Sequence, residues 1–212
     1  VRIRTGDLQR LGHRRLYAAT TYQTPGNGKL HAERRVLTTT GPSRPVRVHG
    51  IDFSGSAAPG EDIWLVSGEV ADDHLRVTDA RPASEAFDGE GRTAVLRDLR
   101  GFLAGDGPDG GGIAGVDCSL GLPRAVLPDD IARTDGWRGA LDWVAERFAD
   151  ADGRSFQSAL KERARASDAD GVELKRATDG PTGASSPYSF ITRYQTLHGL
   201  RDVLAPSSGR TA

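Results

Sequence analysis

The sequence predicts one α/β domain built on a mixed β-sheet, and three observations carry that prediction. Three short apolar runs with tight links come first, between residues 47 and 80. A run of helical period follows at Val95, Leu99, Phe102 and Leu103. A fourth short apolar run, residues 113–117, precedes a C-terminal part that is helical in pattern.

Residues 47–53 read as a first strand, continuous and apolar enough to be central. Residues 54–62, with two Gly and Pro59, read as a turn. Residues 63–70 form a second strand, Ala71-Asp72-Asp73 a tight connection, and residues 74–80 a third strand with Leu75, Val77 and Ala80 as its apolar members. Short links between three consecutive strands predict an antiparallel meander. The helix then presents Val95, Leu99, Phe102 and Leu103 on one face, with Arg97, Asp98 and Arg100 elsewhere. It ends before the Gly-rich run 105–112. A strand reached through a helical crossover runs parallel to an earlier one, so the fourth strand is expected to be parallel.

Beyond Leu122-Pro123 the pattern is helical. Trp137, Leu141, Val144 and Phe148 mark one buried face, and Phe156, Leu160 and Ala164 another. Ile191, Tyr194 and Leu197 or His198 begin a last helix that runs to Leu204. Residues 179–187 read as a long polar loop, and no internal repeat is visible.

Composition sets the outer bounds. The 212 residues suffice for one domain with a real core. No apolar run is long enough for a membrane span, and the N-terminus lacks the apolar segment of a secretory signal. A single cysteine, Cys118, excludes an internal disulfide and fits a cytoplasmic protein. Without Cys-x-x-Cys and with five scattered His, a structural zinc site is not expected. Charge divides the chain. Residues 1–45 carry nine Lys/Arg and two acids, a net +7, whereas residues 46–212 carry 19 and 27, a net −8. Residues 1–45 are therefore expected to be a basic, disordered extension, with Val46 as an alternative start, residues 46–205 the folded domain, and residues 206–212 a polar tail.

The chemistry concentrates in two matching stretches. Gly50-Ile51-Asp52-Phe53-Ser54-Gly55 and Gly115-Val116-Asp117-Cys118-Ser119-Leu120-Gly121 each end an apolar run in a carboxylate, followed by a Ser and a Gly. An Asp closing a buried strand packs poorly and costs desolvation. Two of them on neighbouring strands point to a metal or phosphate site at a sheet end.

These stretches, with Lys175-Arg176-Ala177-Thr178-Asp179 and Gln195-Thr196-Leu197-His198-Gly199-Leu200-Arg201-Asp202-Val203-Leu204, resemble the domain of unknown function 429 family over about residues 46–205. That family is predicted to contain nucleases of RNase H-like fold. The order of three strands, helix and strand is that of an RNase H-like half-sheet, in which the fourth strand lies beside the first. Asp52 and Asp117 would then meet. The resemblance adds Asp179 as a third catalytic carboxylate. It also implies that the chain lacks a further strand and helix at its C-terminus, which would leave the fourth strand as an edge.

The expected activity is a metal-dependent nuclease or phosphodiesterase. Asp52, Asp117 and Asp179 are its candidate catalytic residues and Asp52 and Asp117 its Mg2+ ligands. Ser54, Ser119 and Arg176 would contact substrate, with Arg193 a further phosphate candidate and nucleic acid the expected partner. Two close carboxylates stay ionised together only with a cation between them. Several alternatives compete. Asp52 and Asp117 could cap turns through the following backbone N–H groups. The domain could be a non-catalytic binding or scaffolding module. Asp52-Phe53-Ser54-Gly55-Ser56 also resembles the phosphate-binding turn of actin-like ATPases, although those need two lobes. Ser119 lacks the Gly two residues before it that a nucleophile elbow requires, and no Walker loop is present. Cys118 and His198 are expected to be packing residues, and the tryptophans to pack against the sheet.

Overall fold

The computed structural model describes residues 45–72, 74–106 and 111–205. The expectations for residues 1–44 and for the 206–212 tail lie outside them. Strands β1 (Val46–Asp52), β2 (Trp64–Ala71) and β3 (His74–Pro82) form the antiparallel meander. Strand β4 (Ile113–Val116) pairs parallel with β1, so the order across this mixed open sheet is β3-β2-β1-β4. The strands start and stop within two residues of the sequence expectation.

The link after β1 holds a short helix, α1 (Pro59–Asp62), and β3 runs into α2 (Ala83–Ala86). Helix α3 (Gly91–Leu103) then covers one face of the sheet. Val95, Leu96 and Leu99 pack there with Ile51, Phe53, Ile63 and Leu65, all nearly free of solvent. Side chains alternate along β1, so His49 and Ile51 join this core while Gly50 and Asp52 lie on the other face. That other face is open. Trp64, Val66, Leu75, Val77 and Ile113 are exposed on it. The expected central strand is thus central in its hydrogen bonding but covered on one face only, and the apolar members of β3 do not reach a core.

The C-terminal part forms a second core. Helices α4 (Gly136–Arg147) and α5 (Gly153–Arg165) bury Leu141, Val144, Phe148, Phe156, Leu160 and Ala164 against one another. Asp152 caps α5, its carboxylate accepting from Ser155 N at 2.7 Å. The stretch read as a long loop begins with one helical turn, α6 (Asp179–Thr182), ended by Gly183 at φ 69°. Helix α7 (Arg193–His198) continues as a wider turn over Gly199–Leu204. Leu197 and Leu200 enter the C-terminal core, while Val203 enters the sheet core, so this last segment joins the two. Ile191 precedes α7 and is 80% exposed, contrary to its expected place on the buried face. Trp137 lies in the first turn of α4 and is 52% exposed, although the residues one, two and three turns further on are buried. No helix among the described residues is long and apolar enough to cross a membrane.

Candidate functional site

The parallel pairing of β1 with β4 places Ile51 opposite Val116. The ladder continues one bond further, with Asp117 N–H donating to the Ile51 carbonyl at 2.8 Å. Asp52 and Asp117 are therefore the next step along two adjacent strands, side by side at their C-terminal ends. Both are exposed. Trp64 stands directly opposite Asp52 on β2, and opposed residues of antiparallel strands share a face. Among the described residues neither carboxylate has a hydrogen-bond or ion-pair partner. The turn-capping alternative therefore finds no contact here.

The strand ends are held from above by α7. Gln195 donates from Nε2 to the Phe53 carbonyl at 2.7 Å and to the Asp117 carbonyl at 2.5 Å. Because both acceptors are carbonyls, the nitrogen end of the amide must face them. One side chain thus staples β1 to β4 just past their last paired residues. Glycine makes this approach possible. A Cβ on Gly55 would lie 2.3 Å from Gln195 N and 2.4 Å from Tyr194 C. A Cβ on Gly199 would lie 3.1 Å from Cys118 Sγ. Gly55 therefore admits the backbone of α7. Gln195 opens the family-like run 195–204, and nothing in its local pattern distinguishes it from a surface glutamine.

The two serines beside the carboxylates differ in their contacts. Ser54 Oγ accepts from Ser56 N at 3.2 Å, and Ser56 Oγ accepts from Ala58 N at 3.1 Å, so hydroxyls shape this turn. Ser119 is half-buried just beyond Cys118.

Asp179 is placed differently from the other two carboxylates. It is 2% exposed. Arg176 grips it through Nη2 at 2.7 Å and Nε at 3.1 Å, and the Arg176 backbone N–H adds a bond of 2.7 Å. The hydrogen bonds from Arg176 hold the Asp179 carboxyl below the usual carboxylate range, against the upward push of burial. Both oxygens are thus used internally, and Asp179 offers no free carboxylate as found. The Arg176 guanidinium is committed to the same pair. Among the described residues no group of three or more His, Cys, Asp and Glu gathers where a metal ion could sit.

Cys118 follows Asp117 and is pushed up to about 11, by burial first and then by the Asp117 charge, with Arg176 opposing. A thiol held protonated in this way is a poor nucleophile. Arg193 is buried rather than open to a phosphate. It donates to Gln157 Oε1 at 2.8 Å and stacks on Phe190 with its guanidinium carbon 4.4 Å from the ring centre.

His198 is buried and fully engaged. Asp202 Oδ2 lies 2.6 Å from Nδ1, and Arg92 contacts Nε2 while its other terminal nitrogen donates to the Ser56 carbonyl. Burial raises the Asp202 carboxyl, but hydrogen bonds from His198 and Arg201 outweigh it and hold the group below its usual value. The chain of contacts ties α3 and the Ser54–Ser56 turn to the last helix, and it leaves His198 no free nitrogen for base catalysis.

A cleft of about 1100 Å³ lies elsewhere, between the covered sheet face and α3, lined in part by His49, Ser67, Asp79, Arg97, Asp98 and Phe102. Its size exceeds its chemistry. Arg97 pairs with Asp98 and Arg81 with Asp79, and both His49 nitrogens are used, by Ser67 Oγ and the Gly111 carbonyl. The strand ends, with two adjacent carboxylates that have no partner among the described residues, are the better candidate. Compared with known proteins, the chain matches no protein-family model, no curated protein and no solved structure.

Proposed function

We propose that the C-terminal ends of β1 and β4 form a divalent-metal-dependent phosphodiesterase site acting on nucleic acid, on a sheet of RNase H-like type. The single observation that carries this reading is the adjacency of Asp52 and Asp117, exposed and without a partner among the described residues. Two like charges on neighbouring strands repel, and a cation between them removes the repulsion. The donor set fits Mg2+, which binds through one or two carboxylates and fills its remaining positions with water and substrate phosphate. Asp52 and Asp117 would hold the ion, which when bound supplies charge neutralisation at the phosphate and an acidified water. The chain's own part is positional. Gln195 fixes the spacing of the strand ends, and Gly55 and Gly199 let α7 come close enough to do so. The strand order, with a parallel first and fourth strand, supports the fold reading and the likeness to the domain of unknown function 429 family.

A non-catalytic scaffold on the same fold is the second reading. The observation in its favour is the internal ion pair that occupies Asp179, because two-metal sites draw on more carboxylates than two. A cleavage assay on single-stranded and duplex substrates with Mg2+, comparing the wild type with Asp52→Asn and Asp117→Asn, separates the readings. The phosphodiesterase predicts Mg2+-dependent cleavage that both substitutions abolish. The scaffold predicts none in any form.

A further inference from the structure

We propose that Trp64 and Trp137 are base-stacking residues beside the strand ends that carry Asp52 and Asp117, and that the substrate is a single-stranded oligonucleotide. This rests on the strand-end reading above and names its substrate class. Trp64 is 45% exposed and Trp137 52%, an unusual state for the side chain with the most apolar surface to hide. The third indole behaves conventionally. Trp143 packs edge-on to Phe148 at 5.4 Å, with the Arg163 guanidinium over its ring.

Position distinguishes the two exposed rings. Trp64, Asp52 and Asp117 follow one another across β2, β1 and the end of β4, at the strand spacing of about 5 Å. Trp137 lies against the loop that leaves Asp117. Its indole N–H donates to the Leu120 carbonyl, and its Cδ1 would be 3.9 Å from a Cβ on Gly121. The polar atom of that ring is satisfied while half the residue stays open. One ring thus stands beside Asp52 on the sheet, and the other rests on the loop that begins at Asp117.

Charge selects the form of nucleic acid. Residues 46–212, which hold the strand ends, carry a net −8, so their net charge repels a polyanion, and the basic residues of the chain concentrate in residues 1–45. At the strand ends, stacking and the metal ion remain. In a duplex the bases stack on each other and are unavailable to two indoles at once, whereas unpaired bases offer their faces freely. A consequence is that the share of affinity lost on removing either indole should depend only weakly on salt, unlike affinity from phosphate contacts.

The test is fluorescence anisotropy of labelled oligo(dT), oligo(rU) and a DNA duplex, titrated with the full chain in Ca2+ and again in Mg2+. Single strands should bind at least about tenfold more tightly than duplex. Trp64→Ala and Trp137→Ala should each weaken single-strand binding about tenfold, with Trp64→Phe retaining most of it. Trp143→Phe, packed against the C-terminal core, should leave binding unchanged. Equal binding by the wild type and both alanine variants would overturn the proposal, as would equal affinity for duplex or no binding at all. Cleavage assayed in parallel separates the two claims. Binding that needs both indoles, without Mg2+-dependent cleavage, would keep the stacking surface and remove the phosphodiesterase. Cleavage indifferent to both indoles would do the reverse.

Discussion

The backbone N–H of Asp117 donates to the carbonyl of Ile51 at 2.8 Å, one step beyond the last paired residues of β1 and β4. That bond makes Asp52 and Asp117 neighbours. It also sets them on the open face of the sheet, away from the core built by α3. The strand end is therefore stabilised by backbone bonds and by Gln195, and the two carboxylates contribute nothing visible to it. A fold that places two charges together without using them leaves them available for a ligand.

The Gly55 site should tolerate no side chain. A Cβ there would meet the backbone of Tyr194 and Gln195 at 2.3–2.4 Å, and backbone cannot swing away as a side chain can. Gly55→Ala is expected to destabilise by about 1–3 kcal/mol through overpacking. Gly199→Ala faces the Cys118 sulfur at 3.1 Å and should cost less. Chemical denaturation of both variants checks the order. Equal stability for Gly55→Ala and the wild type would show that α7 does not sit against the turn as described.

The strands, the meander and the two carboxylates were legible in the sequence because each rests on a local pattern, whereas the place of the fourth strand beside the first was expected only from the RNase H-like resemblance. Alternating or continuous apolar runs mark strands, and a helical period before the fourth run predicts a parallel return. The long-range contacts were not legible. Gln195 lies 142 residues from Phe53 and 78 from Asp117, and no local pattern encodes such a bond. Asp179 looked like a third ligand because a family-like run contained it, yet an arginine three residues earlier takes its carboxylate. Exposure misled in the same way. Trp64, Leu75 and Val77 have strand-forming character, but whether their face meets another layer depends on the whole topology.

Asp179 should behave as a structural ion pair. Its carboxyl is held below 3.8 by Arg176, so its contribution is present above that value and lost as pH falls through the lower folded value. Asp179→Asn should cost about 1–3 kcal/mol at neutral pH and flatten the acid limb of the stability profile below about pH 4. Urea unfolding between pH 2.5 and 7 measures both. It should leave any response to Mg2+ intact, and loss of that response would return Asp179 to the site.

Cys118 should be inert at neutral pH and destabilising at high pH. Its thiol is pushed from 9.0 to about 11, chiefly by burial and then by Asp117. In that window the unfolded chain releases the proton and the folded chain keeps it, so stability declines as pH rises from about 9 to about 11. Cys118→Ser should remove that decline. Alkylation at pH 8 should be slow in the folded protein and rapid in denaturant, and rapid alkylation of the native state would contradict the assigned environment.

Thermal unfolding of the wild type and Asp52→Asn, with and without Mg2+, decides whether the two carboxylates hold a metal ion. Saturating Mg2+ is expected to raise the wild-type midpoint by about 5 °C or more, the scale of a ligand present at a hundred times its dissociation constant. Asp52→Asn should abolish that rise. In the absence of metal it should be as stable as the wild type or more so, because one of two repelling charges is gone. No Mg2+ response in the wild type, together with a loss of about 1–2 kcal/mol on substituting Asp52, would mark the residue as a turn cap and contradict the metal site.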